Sequence, residues 1–269
     1  MRFHFYLVLF LVSILSYTAS SQEVQSTPSA AQLLDAFTSA SMTYNVPADI
    51  LKGVAYAQTR FTNFIEPNIY QENTDFPATY GIMGLRNDKR VGYSLLEGAR
   101  LINQPPEIVA VNANLNIQAA AALLSSIADS LNISRSNLND WSSVLEAFSG
   151  IKQKNIQPFF AFDVLKVLAD GTNMNGITIQ KHTEVNLNQF SRLVNPRSTK
   201  KNAETTQSVE STDYGPAVWD PSPNYNSNSI NQLFAVVHDT ECNFALALSI
   251  LTDPNNGGNP VSSHYLIRS

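Results

Sequence analysis

Residues 114–131 read Asn-Leu-Asn-Ile-Gln-Ala-Ala-Ala-Ala-Leu-Leu-Ser-Ser-Ile-Ala-Asp-Ser-Leu, and no other run constrains the fold as tightly. Alanine and leucine enter a helix at little cost in side-chain entropy, and neither glycine nor proline interrupts the run. The flanking segments follow the same period. Leu33, Phe37, Ala40 and Tyr44 recur at helical spacing across 30–44. In 46–61, Pro47 suits a first helical position and Asp49 the positive helix start, while Ile50, Leu51, Val54, Ala55 and Phe61 supply an apolar face. Gln58 falls one turn after Val54, near the helix end, where a side chain can enter a cleft. Helices are also expected over 95–102, 141–150 and 159–169, with Pro105-Pro106 opening the segment between. The only departure is Tyr80-Gly-Ile-Met-Gly-Leu85, whose glycines permit a tight, backbone-close loop. An all-α domain over 29–170 is therefore expected.

Composition excludes some classes of function. The 269 residues suffice for one large domain or two smaller ones. A net charge of −5 argues against a dedicated nucleic-acid binder, which would show a basic face. The single cysteine, Cys242, rules out an intrachain disulfide and the cysteine-based zinc spacings. At the amino end, Met1-Arg-Phe-His precedes an apolar run from Phe5 to Leu15 and a small-residue exit at Ala19-Ser20-Ser21. That run is too short to span a bilayer, which takes about 20 residues. It reads as a cleavable signal peptide over 1–21, with an uncleaved interfacial helix as the alternative; a signal peptide places the mature protein outside the cytoplasm (secreted, periplasmic or in the cell envelope) with no stable membrane anchor.

Beyond the helices, 171–213 turns polar. Ile177-Thr-Ile-Gln180 alternates like a strand, but no buried face emerges, and the stretch is expected to be a linker with one local hairpin. His182, beside Lys181 and Glu184, reads as a solvated histidine.

The last unit, 214–269, has a different grammar. Phe234-Ala-Val-Val-His238 is a short apolar run delivering an imidazole where it turns polar, a common way to set a metal ligand on a rigid element. Asn243 to Leu251 is a helix-forming run, closed by the turn cluster 253–260, and Val261-Ser-Ser-His-Tyr-Leu-Ile267 carries a second histidine, His264. The order is strand, histidine, helix, loop, strand. With the helical domain, the chain reads as all-α followed by the first strands and helix of a mixed α/β domain.

Two resemblances give these patterns a functional direction. Pro47 to Phe61, Tyr80-Gly-Ile-Met-Gly-Leu85 and Asn116 to Leu124 together resemble the lysozyme-like fold of soluble lytic transglycosylases. In that family the second helix carries a catalytic glutamate, followed by a Gly-rich segment and an Asn-leading, Ala-rich helix. Here the glutamate position is held by Gln58, within Ala57-Gln-Thr-Arg60. Glycosidic cleavage needs a proton donor to the leaving oxygen, and an amide has none to give. The resemblance thus implies a glycan-contacting cleft with Gln58 as a substrate-binding residue. Glu66 and Glu72 are alternative acids in a polar loop, and an ordinary helical bundle is the plainer alternative.

The carboxy-terminal unit is similar to the start of zinc-dependent N-acetylmuramoyl-L-alanine amidases of the amidase-2 family. The similarity rests on Ala217-Val-Trp-Asp-Pro-Ser-Pro-Asn-Tyr225, His238-Asp-Thr-Glu-Cys242 and Ser262-Ser-His-Tyr-Leu-Ile267. It implies Zn2+ as cofactor, His238 as its first ligand, His264 as a residue lining the active site, and peptidoglycan as partner. The chemistry implied is attack of zinc-activated water on the lactyl–L-alanine amide. Glu241 either orients His238 or a nearby water, or acts only as a helix-start carboxylate. Cys242 stands where the family has glycine. The family's other ligands and its acid/base lie beyond the Ser-x-His-Tyr strand, so 214–269 is expected to be about the first third of a domain, with an incomplete zinc site.

Overall fold

The computed structural model describes residues 27–65, 77–194 and 242–255, together with Pro223 and Leu266. These residues are mostly helical, with one two-stranded antiparallel sheet. Helix α1 spans Ala30–Tyr44 and α2 Ala48–Thr59. α1 starts where its chemistry dictates: the Ser29 hydroxyl accepts from the Gln32 N–H, and the Gln32 side chain accepts from the Ser29 N–H. Its buried residues, Leu33, Ala36, Phe37 and Ala40, form one stripe, and Asn45 ends it in the left-handed conformation.

Four helices follow the glycine loop: α3 (Ser94–Leu101), α4 (Pro106–Val111), α5 (Ala113–Leu131) and α6 (Trp141–Phe148). α5 is the hub, packed against α1, α3, α4 and α6. Its alanine run lets partners approach: a Cβ on Gly98 of α3 would lie 3.0 Å from Ala119. Ile117, Ala119, Ala120, Ala121 and Leu124 are fully buried. Helix α7 (Gln157–Asp170) lies on α2 and α6, and Gly53 of α2 leaves the gap that the Leu168 and Val164 side chains of α7 enter. No helix among the described residues is long and apolar enough to cross a membrane.

The segment after α7 departs from the expectation of no buried face. Strands β1 (Thr172–Met174) and β2 (Ile177–Ile179) pair through an Asn175-Gly176 turn in which both residues have positive φ, the combination that a two-residue hairpin favours. Ile177, Ile179, Val185 and Phe190 join the main core, followed by a short helix α8 (Ser191–Val194). Over 172–190 the chain is part of the helical body. Helix α9 (Phe244–Leu251), where the sequence predicts a helix, also packs against this body, on α7.

His182 is likewise no solvated side chain. Its Nε2 lies 2.7 Å from Asp49 Oδ2 and its Nδ1 2.8 Å from Glu184 Oε1. Lys52 pairs with Asp49 and donates to the Thr178 carbonyl at 2.9 Å, so the hairpin is clamped to the start of α2. Burial disfavours the charged ring, but hydrogen bonds to both carboxylates and their charges outweigh it, holding the pKa above the ordinary 6.5. A raised folded-state pKa means that the contribution is complete below 6.5 and fades as pH rises through the higher folded value. His182→Ala is expected to cost about 1 kcal/mol at pH 6 and clearly less at pH 9. Urea unfolding at the two pH values checks this; an equal cost at both would rule out the charged clamp.

Candidate functional site

The glycine loop is held from two sides. Tyr80 and Leu85 exchange two backbone hydrogen bonds of 3.0 Å, turning the loop back on itself. On one side, the Thr59 hydroxyl at the end of α2 lies 2.6 Å from the Ile82 carbonyl. On the other, the fully buried Asn116 of α5 accepts from the Met83 N–H at 2.8 Å and donates to the carbonyls of Tyr80 (3.3 Å) and Val109 (3.1 Å). One amide thereby ties the loop to both α4 and α5.

The glycines are required by these contacts. Gly81 and Gly84 have φ of +67° and +61°, and a Cβ on Gly81 would overlap the Asn116 amide. A Cβ on Gly84 would lie 2.7 Å from the Gln58 Cβ. The loop backbone therefore rests directly on Gln58. Gly84→Ala is expected to displace the Gln58 side chain and lower stability by about 2 kcal/mol, through left-handed strain and overlap together. A melting temperature within 1 °C of the parent's, to be read by circular dichroism, would contradict that contact.

Gln58 is half-buried, and its Oε1 accepts a 2.8 Å hydrogen bond from Asn243 Nδ2. Asn243 is also the N-cap of α9, its Oδ1 accepting from the Leu246 N–H at 2.9 Å. The amide that begins α9 thus meets the amide that stands where the lysozyme-like pattern has its acid. No family model, curated protein or solved structure matches the chain.

Arg86, just past the loop, was not marked by any sequence pattern. It is buried, its Nη1 donating to the Pro77 carbonyl (2.7 Å) and the Thr79 hydroxyl (2.5 Å), and its Nη2 finds no partner among the described residues. Burial brings its pKa down to about 10, with Cys242 and Asp88 pulling the other way, so the guanidinium remains charged at neutral pH. Glu146 on α6 is a second group that sequence alone would miss. Burial lifts its pKa above the usual carboxylate value, and its bond to Ser142 at 3.4 Å and the charge of Lys154 work against that.

The structure brings Gln58 together with the glycine loop and Asn116. His238, Glu241 and His264 lie outside the described residues, as do Glu66, Glu72 and Trp219. Zinc, which the amidase resemblance implies, finds no cage among the described residues: no three His, Cys, Asp or Glu side chains there stand close enough to hold a metal ion.

Proposed function

We propose that the chain is a peptidoglycan-directed protein of the N-acetylmuramoyl-L-alanine amidase class, exported from the cytoplasm, whose helical body docks glycan without cleaving it. One observation carries the docking half. The three stretches behind the lysozyme-like resemblance, far apart in sequence, converge on the glycine loop, with Gly84 resting on Gln58 and Asn116 bracing the loop from α5. The Gln58 amide can accept from a hydroxyl and donate to a carbonyl, which suits sugar recognition, but it delivers no proton to a leaving oxygen.

The amidase half rests on the order of motifs around His238 and His264. The helix Phe244–Leu251, capped by Asn243 between those motifs, supports that order. Bound zinc would polarise the amide carbonyl and make water a stronger nucleophile, and His238 is the residue of this chain that would hold the metal.

Incubating the purified protein with insoluble peptidoglycan, then counting new chain ends, tests both halves. Retention on the sediment without new sugar ends is the expected result for the body. New amino-terminal alanine is the expected sign of amidase activity, and its absence removes that half. New sugar ends would overturn the non-cleaving dock, and failure to sediment with peptidoglycan would remove the reading altogether.

A further inference from the structure

Helix α9 is apolar on every side, reading Phe-Ala-Leu-Ala-Leu-Ser-Ile-Leu, and such a helix is stable in water only when covered. Six of its eight residues are buried. Its contacts with the body run along its length. At its start, Asn243 bonds Gln58, and the Phe244 ring lies 5.6 Å from that of Phe159. Along its length, Leu246 and Ile250 form a small cluster with Val91, with Cys242 against it, separate from the main core. At its far end, Gln153 donates to the Ser249 carbonyl at 2.8 Å. Ala245 belongs to the main core, and the half-buried Leu248 packs against it.

The body closes its core around α5 with side chains from α1 to α7 and the hairpin, and α9 joins its edge through Ala245 and Leu248, adding the satellite patch and two exchangeable amide bonds. The Asn243–Gln58 bond is a neutral amide–amide pair, which an acetamido group could replace with little change in hydrogen-bond energy.

We propose that α9 is a latch: docked, it occupies the Gln58 face, and an N-acetylated glycan strand reaches Gln58 only by displacing Asn243. The inference rests on the docking role given to that face above. It makes the free protein a self-covered form whose affinity for glycan is reduced by the fraction of molecules with α9 in place.

The test uses the full chain with soluble peptidoglycan strands as probe. Leu246→Glu places a charge in the patch with Val91 and leaves Gln58, the loop and Asn116 untouched; Asn243→Ala removes the bond to Gln58 and the cap of α9. Each variant is expected to bind the strands at least tenfold more tightly than the parent. Amide exchange should be fast over 244–251 in the variants and protected over α2 and α5, and strands added to the parent should deprotect 244–251. If parent and variants bind equally and 244–251 stays protected in the strand-bound parent, the latch is overturned and the docking reading stands. If no form binds, including variants with a deprotected α9 and a protected α5, the docking reading itself fails. Should Leu246→Glu lose protection over α5 as well, Asn243→Ala decides the matter alone.

Discussion

Replacing Asn116 with alanine is expected to lower the free energy of unfolding by about 4 kcal/mol, among the largest effects for a single polar side chain here. The side chain is fully buried and serves three backbone groups: the Met83 N–H and the carbonyls of Tyr80 and Val109. Truncation leaves the Met83 N–H and the Val109 carbonyl without their partner where water has little access, at about 1–3 kcal/mol each, while the Tyr80 carbonyl keeps its bond from the Leu85 N–H. For a body of this size, that corresponds to a fall of roughly 10 °C in melting temperature. Asn116→Asp discriminates further. It keeps an acceptor for Met83 but turns a carboxylate oxygen on the two carbonyls that the Nδ2 now serves. It should therefore be no better than alanine at pH 7 and improve as pH falls and the carboxyl regains a proton. Thermal unfolding followed by circular dichroism at pH 7 and pH 4 gives both readings. A melting temperature for Asn116→Ala within 3 °C of the parent's would show that the loop is not braced by this amide.

Gly150→Ala is expected to be at least as damaging, for a steric reason. Gly150 follows α6 with φ of +68°, and a Cβ there would be driven into the Val91 carbonyl oxygen, far inside van der Waals contact. Backbone cannot swing aside as a flexible side chain does, so the Val91–Gly92 segment or the end of α6 must move. Left-handed strain of about 1–2 kcal/mol adds to that displacement, for a total loss of about 4 kcal/mol or more. Gly92 supplies the control within the same contact. Its φ is +89°, but an added Cβ would meet nothing nearer than the Gly150 Cα at 3.9 Å. Gly92→Ala should cost only the backbone strain, about 1–2 kcal/mol. Similar losses for the two variants in urea unfolding would mean that the approach of Val91 to Gly150 is not close.

What the sequence discloses of this architecture follows from the range over which each signal acts. α1 is readable to the residue, because periodic apolar positions run from Leu33 to Tyr44 and the chain then meets Asn45 and Pro47. α5 is readable within one residue at its start, because alanine and leucine leave the backbone no better option. α4, six residues long, is too short to display a period, and only its opening proline announces it. The hairpin and the segment after it mislead for another reason. Ile177 and Ile179 alternate as a strand should, but Val185 and Phe190 are spaced irregularly among polar residues, and only the core shows that they are buried. His182 looks solvated beside Lys181 and Glu184 because its decisive partner, Asp49, lies on another helix.

The candidate site divides in the same way. Gln58, the glycine loop and the Asn-led helix are all visible as patterns, and their meeting is what the fold adds. The Asn243–Gln58 bond joins residues 185 positions apart, and no local pattern encodes such a pair. Arg86 and Glu146 look like ordinary surface charges until burial and its effect on their proton affinities are seen. The motifs around His238, Glu241 and His264 that resemble those of the amidases lie outside the described residues, so their reading rests on sequence.

The attachment of α9 has a kinetic corollary. If α9 is the latch proposed above, it docks on a face of its own chain, so docking is a unimolecular event. The occupancy of such a contact does not depend on how much protein is in solution. Dilution would therefore leave the Gln58 face covered, and only a competing ligand or a change in the contact itself would open it.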